Sequence, residues 1–194
     1  MTGAADHLAH FNDLYQDDPD PWDYEASRAE AFKRAAVLAA LGSGPLGRGC
    51  ELGCGPGIAT ATMAPRFAGL LALDGSAEAV RLAGARTAGH RGVTVRRAAL
   101  PARLPARRYD AIVATEVLYY LPRAVLAATL ADCARALRPG GRFVSTNSLT
   151  RFGDAEVSNR TLTAMQRHVF GAPLRTRVGA GWRLDVYGVG SISD

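Results

Sequence analysis

Between residues 49 and 146 the chain alternates short apolar runs with amphipathic helical stretches, and this alternation limits the possible folds more than any other feature. Strands are expected around 49–52, at 70–73, 93–96, 109–114 and 142–146, and helices at about 58–67, 77–87 and 123–137. A strand–helix series of this kind places its strands in a parallel sheet and its helices on both faces. The tail breaks the pattern. After a helix near 156–169, strands at 174–178 and 182–186 are separated only by Gly179-Ala180-Gly181. A parallel crossover needs about a dozen residues, so these two strands can pair only as an antiparallel hairpin.

Upstream, an acidic opening with Asp6, Asp13, Asp17, Asp18 and Asp20 ends in Asp18-Pro19-Asp20-Pro21-Trp22, which reads as a turn because proline disfavours helix before it. Ser27-Arg28-Ala29-Glu30 has capping-box spacing and starts a helix that runs to Leu41 and stops at Gly42 and Gly44. One domain of 1–194 is expected, with 1–42 as a helical lid segment and 43–194 as the core. With 48% hydrophobic and 21% charged residues, global disorder is excluded, and a core forms without staples. No membrane span or secretory signal is read, and Cys50, Cys54 and Cys133 make no disulfide framework, so a reduced, cytoplasmic setting is expected. The net charge of +5 comes from 23 basic residues of which only Lys33 is not arginine, a bias that looks compositional. The cluster Arg96, Arg97, Arg103, Arg107 and Arg108 lacks interleaved aromatics apart from Tyr109, so nucleic acid is not the expected partner.

The strongest local motif is Glu51-Leu52-Gly53-Cys54-Gly55-Pro56-Gly57, set between a strand and a helix. Its backbone N–H groups face the crevice at the strands' carboxyl ends, and its glycines let a ligand approach the main chain. A nicotinamide or flavin fingerprint needs Gly or Ala at position 58, where this chain has Ile58. Asp74 ends the second strand about twenty residues beyond Gly53, where a carboxylate can accept both ribose hydroxyls. It could equally cap the next helix, as could Ser76. Loop and carboxylate together indicate an adenosine-containing ligand.

Those residues, with Tyr109-Asp110-Ala111-Ile112-Val113 and Leu137-Arg138-Pro139-Gly140-Gly141, resemble the motif series of class I S-adenosylmethionine-dependent methyltransferases over roughly 36–187. The resemblance implies an α/β fold with a Rossmann-like, doubly wound seven-stranded sheet ending in an antiparallel β-hairpin. It implies S-adenosylmethionine as cofactor and S-adenosylhomocysteine as product, held by Glu51, Gly53, Cys54, Gly55, Gly57, Asp74, Gly75, Ala99, Leu100 and Glu116. Leu14-Tyr15, Asp18 to Glu25, Glu116-Val117-Leu118-Tyr119-Tyr120-Leu121 and Leu184-Asp185-Val186-Tyr187 are similar to the nodulation-protein-S-like methyltransferases. Founding members of that family N-methylate a sugar amine. Three stretches depart from its pattern: Arg28-Ala29-Glu30-Ala31-Phe32, Ala98-Ala99-Leu100 where an acidic residue often meets adenine, and Asn147 in place of a histidine.

The implied catalytic residues are Glu116, to hold or deprotonate the acceptor, and Asn147, to hydrogen-bond it. Glu116 could instead be a structural carboxylate binding backbone N–H groups, and Asn147 could serve a turn. Tyr119 and Tyr120 would line the cleft, while Tyr15, Trp22 and Tyr24 would form a lid that excludes water or simply pack on the sheet. His7, His10, His90 and His168 have no metal-ligand spacing, so no metal is expected, and Cys54 reads as a small buried residue. The expected function is methyl transfer to an amine, or a hydroxyl, of a small molecule such as a saccharide or natural product, by a monomer or homodimer. The alternatives are an RNA methyltransferase and a non-catalytic cofactor-binding partner subunit.

Overall fold

The computed structural model describes residues 4–150 and 153–190. The side chain of Asp6, residues 1–3 of the 1–42 segment and residues 191–194 of the core lie outside that description. The chain forms two compact units, Met1–Ala99 and Leu100–Asp194.

The first unit opens with α1 (Ala4–Asp17), a helix the acidic composition of the opening concealed. The turn at 18–25 follows, closed by Asp20, whose carboxylate accepts the Tyr24 and Glu25 N–H groups at 2.8 and 2.9 Å. Ser27 caps α2 (Arg28–Leu41) and accepts from Glu30 N, as the capping-box spacing predicts. Strands β1 (Leu46–Leu52), β2 (Phe67–Asp74) and β3 (Val93–Arg97) pair in parallel, with Leu52 opposite Leu73 and Asp74 opposite Arg97. Helix α3 (Ile58–Met63) is shorter than expected. Pro65 turns its end into a 3-10 turn at Ala64–Arg66, and Phe67 becomes the first residue of β2 rather than the last of the helix. Helix α4 (Ala77–Thr87) starts at its Ser76 cap, which accepts Ala79 N at 3.1 Å, and buries Ala79, Ala83 and Thr87 along one stripe.

That stripe of small residues lets α4 close on the glycine loop. Gly57 has φ +80°, and a Cβ there would lie 2.7 Å from Ala83 Cα and 2.9 Å from Ala83 Cβ. Gly57→Ala is therefore expected to cost roughly 1–3 kcal/mol, a fall of several degrees in Tm. Gly84, one residue along α4, has nothing within 4 Å of such a Cβ, and Gly84→Ala is expected to gain about 0.5–1 kcal/mol. Thermal scans of the two variants check the opposite signs.

The second unit holds β4 (Tyr109–Thr115), a 3-10 turn (Leu118–Tyr120), α5 (Arg123–Ala136), β5 (Leu137–Ser148), α6 (Asn159–Phe170), β6 (Arg175–Gly179) and β7 (Trp182–Gly188). Strands β4 and β5 pair in parallel, and the register jumps from Tyr109–Leu137 to Ala111–Arg142. Arg138-Pro139-Gly140-Gly141 thus ends α5, as expected, but remains within the span of β5 as a bulge. Strand β7 pairs antiparallel with both β5 and β6, the hairpin that the short 179–181 spacing requires. Helix α6 begins later than its periodicity suggests. Glu156 N and Val157 N both donate to the Tyr119 carbonyl, at 2.9 and 3.3 Å, before Ser158 caps the helix. The strand order is β3-β2-β1-β4-β5-β7-β6 in one seven-stranded sheet, the α/β architecture expected from the chain.

Candidate functional site

In the first unit the residues of the glycine motif and Asp74 come together through the main chain. Leu52 ends β1, and Gly53, Gly55 and Gly57 take φ of +67°, +50° and +80°, conformations a side chain would strain. Asp74 accepts Gly55 N at Oδ2 and Ser76 N at Oδ1, each at 2.9 Å. It thus ties the loop after β1 to the end of β2, while Ser76 does the helix capping. Burial pushes its pKa above the usual aspartate value, against the pull of those N–H groups. Gly75 and Gly55 both sit beneath side chains of α1: added Cβ atoms would meet Leu8 Cδ2 at 2.2 Å and the Tyr15 hydroxyl at 2.7 Å.

Glu51 is completely buried. Its Oε2 accepts the Thr60 hydroxyl at 2.5 Å, and its Oε1 has no hydrogen-bond partner. Burial drives its pKa up to about 8, which the Thr60 hydrogen bond opposes and the Asp74 charge reinforces. A buried carboxyl with one bare oxygen is suited to a cationic group. Cys54 is also buried, and burial raises its thiol far above the ordinary range, so no thiolate nucleophile forms near neutral pH.

The expected lid aromatics are neighbours. Trp22 lies 5.7 Å from Tyr15, edge-on, 5.5 Å from Tyr24 and 6.2 Å from Phe11. Two anchoring residues escaped the sequence reading. Asn12 Oδ1 accepts from Ser76 Oγ and Glu78 N, both at 3.2 Å, so α1 is hydrogen-bonded to the start of α4. Arg86 donates to Pro56 O at 3.1 Å and clamps both oxygens of Glu25, which joins the glycine motif to the 18–27 segment. Leu8, Phe11 and Tyr15 carry the helical spacing that could have revealed α1; Arg86 offered no sequence signal. Ala99, at the end of this unit, is exposed.

In the second unit, Leu100 is half-buried, and Glu116 follows β4 with φ +54°, a conformation bulky residues seldom adopt. It is pinned from both ends. Its N–H donates to Thr146 O at 2.8 Å, and its Oε2 accepts Ser148 N at 2.7 Å and the Tyr119 hydroxyl at 2.9 Å. The carboxylate thus binds a backbone N–H of β5, the structural role foreseen beside the catalytic one. Tyr120 packs on Tyr119 with ring centroids 4.5 Å apart, and burial first of all pushes its phenol up to about 12. Asn147 is buried on β5 and donates Nδ2 to Ser145 Oγ at 2.7 Å, while its Oδ1 has no partner. Glu116, Tyr119 and Asn147 therefore gather at the carboxyl ends of β4 and β5. Among the described residues, no three His, Cys, Asp or Glu side chains form a metal-holding group, and no helix is long and apolar enough to cross a membrane.

Residues 50–141 match the family described as methyltransferase domain. Nodulation protein S of Rhizobium tropici is 29% identical over 153 residues, covering 72% of this chain and 57% of that protein, so the chain spans little more than half of that relative. Among solved structures, N-methyltransferase NodS of Bradyrhizobium japonicum WM9, in complex with S-adenosyl-L-homocysteine, has a TM-score of 0.81 at 22% identity and covers 94% of this chain and 97% of that one. A candidate methyltransferase from Pseudomonas syringae is 30% identical with a TM-score of 0.71, covering 84% of this chain and 99% of that one. A seven-stranded sheet closed by an antiparallel hairpin, with a glycine loop after β1 and a carboxylate ending β2, defines the class I methyltransferase fold. The chain belongs to the methyltransferases, and nodulation protein S is among the proteins it resembles.

Proposed function

We propose that the chain moves a methyl group from S-adenosylmethionine to an amine of a small molecule. The observation that carries this reading is the pair of carboxyls, fully buried Glu51 and half-buried Asp74, flanking a loop whose positive-φ glycines leave the backbone open. These residues fit the cofactor: the bare Glu51 Oε1 suits the methionine ammonium, and Asp74 retains lone pairs for two ribose hydroxyls. Gly53, Cys54, Gly55, Gly57 and Gly75 would admit the ligand to the main chain, with Ala99 and Leu100 against the adenine. When bound, the cofactor supplies an electrophilic sulfonium methyl, so the protein's tasks are binding, alignment and exclusion of water. Tyr15, Trp22 and Tyr24 would do the last of these. An amine is favoured over a hydroxyl because nodulation protein S relatives include an N-methyltransferase. An attacking amine must shed the proton of its ammonium form, and Glu116 would hold that ammonium or take its proton.

Binding to the folded state alone adds about 2.7 kcal/mol at a hundredfold excess over Kd. S-adenosylhomocysteine is therefore expected to raise Tm by several degrees and NAD to leave it unchanged; the reverse pattern would sink the cofactor assignment. Mass spectrometry with methyl-labelled cofactor over a panel of amines and alcohols then identifies the acceptor.

Glu116→Gln separates the two roles of that residue. A glutamine oxygen can still accept from Ser148 N and Tyr119, so folding and cofactor affinity should persist. Loss of a general base lowers turnover by about a hundred- to ten-thousandfold, and loss of one positioning hydrogen bond by about tenfold. Wild-type turnover at every pH would remove Glu116 from the mechanism.

A further inference from the structure

The end of β5 carries a buried polar chain that methyl transfer, as derived so far, leaves unused. Ser145, Asn147, Gln166 and Tyr187 are all buried. Asn147 Nδ2 and Gln166 Nε2 each lie 2.7 Å from Ser145 Oγ. Two N–H groups then converge on one hydroxyl whose own hydrogen meets no acceptor among the described residues, while Asn147 Oδ1 is buried and unpartnered. Tyr187 sets the direction of the chain. Burial, reinforced by the Asp185 carboxylate, raises its phenol well above the ordinary tyrosine value, so it remains a donor, and its O–H donates to Gln166 Oε1 at 3.3 Å. Gln166 must then turn Nε2 to Ser145, and Ser145 keeps a hydrogen to give. A half-turn of the Asn147 amide exchanges its oxygen and nitrogen ends, which have nearly the same shape. With Oδ1 toward Ser145, each bond runs donor to acceptor from Tyr187 through Gln166 and Ser145 to Asn147.

We propose that Gln166 is a positioning residue: with Tyr187 and Ser145 it holds the Asn147 amide so that its NH2 group points away from Ser145, as a donor to a lone-pair oxygen of the methyl acceptor. This rests on the reading that Asn147 stands beside the acceptor. The amide then selects acceptors that carry an ether, hydroxyl or carbonyl oxygen near the methylated atom. A purely apolar neighbour there leaves the buried donor unpaired and is disfavoured.

Gln166→Glu inverts the chain without changing its shape. Assayed at a pH high enough to ionise it in this buried position, the carboxylate so introduced can only accept, so Ser145 donates to it, Asn147 Nδ2 donates to Ser145, and the carbonyl Oδ1 faces outward. Two tests follow. A neutron structure of the deuterated wild-type protein is expected to place the Ser145 deuteron toward Asn147 and both Asn147 amide deuterons away from Ser145. An Asn147 deuteron directed at Ser145 Oγ overturns the chain, whatever the fate of the variant. The second uses 2-methoxyethylamine, whose oxygen only accepts, and n-butylamine, its near-isostere, as probe acceptors. With kcat/KM referred to the neutral form of each amine, since the ether oxygen makes its amine less basic, wild type is expected to favour the ether by tenfold or more. Gln166→Glu should reduce that preference to under threefold, with cofactor KM unchanged, and recover it as falling pH protonates the new carboxylate. If the neutron map shows the one-way chain but wild type methylates the two amines equally, or neither, Asn147 does not face the acceptor and the positioning role falls. A thermal shift with S-adenosylhomocysteine in the same preparation keeps the cofactor reading separate from either failure.

Discussion

Glu51→Gln is expected to stabilise the unliganded protein, by an amount that grows with pH, while weakening its hold on cofactor. The wild-type carboxyl is buried and titrates at about 8, whereas in the unfolded chain it returns to the ordinary value near 4.5. The folded state therefore retains a proton that the unfolded state has released. Its favourable contribution is fully present below about pH 4.5 and is lost as pH rises through 8. At about 1.36 kcal/mol per unit, the accumulated penalty is of order 3–5 kcal/mol above pH 8, a difference near ten degrees in Tm for a chain of this size. Glutamine carries no such titration, so the two proteins should melt together near pH 4 and diverge steadily toward pH 8. Calorimetry with S-adenosylhomocysteine supplies the other half. An ammonium meeting Glu51 Oε1 favours the carboxylate, so binding below pH 8 should release a proton, and the variant should bind about tenfold more weakly without releasing it. Parallel melting curves at every pH would show that Glu51 is charged in the folded state.

Asp74→Ala is expected to lower affinity for S-adenosylhomocysteine by about ten- to hundredfold, since each hydrogen bond to a charged group is worth roughly 1.5–3 kcal/mol. The structure adds a sharper expectation for Asp74→Asn. Both carboxylate oxygens already accept a backbone N–H, one from Gly55 and one from Ser76. An asparagine can satisfy one and must set its own NH2 against the other. The near-isostere should thus fail to rescue, and should destabilise the fold by about 1–3 kcal/mol. Wild-type affinity in both variants, measured by calorimetry, would reduce Asp74 to a tie between two loops.

Elements with strong periodicity and chemical caps were legible in the sequence: Ser27 and Ser76 start their helices as expected, and the 179–181 spacing dictates the hairpin. Boundaries set by tertiary contacts were not. Pro65 hands Phe67 to β2, and the Tyr119 carbonyl delays α6 to Asn159. Helix α1 lay hidden beneath its aspartates, although Leu8, Phe11 and Tyr15 have helical spacing. The glycine motif and Asp74 could be read because backbone geometry demands glycine and a carboxylate at those points. Glu116 could be placed but not assigned one role, because its bonds run to Ser148, 32 residues on. The Arg86 clamp and the Gln166 chain join residues far apart in sequence, and nothing local marks them.

The position of β7 between β5 and β6 bears on how the second unit is assembled as the chain is synthesised. Strand β6 emerges first but, among the described residues, pairs only with β7, so it must wait as an unpaired edge until Trp182–Gly188 has left the ribosome. A tight hairpin closes in about 1–10 μs once both arms are free, far faster than translation adds residues, so β6 and β7 dock on β5 together. Until that moment the backbone N–H and C=O groups along the β7 side of β5, from Arg142 to Ser148, have no strand partner, and that edge is open to pairing with a neighbouring chain.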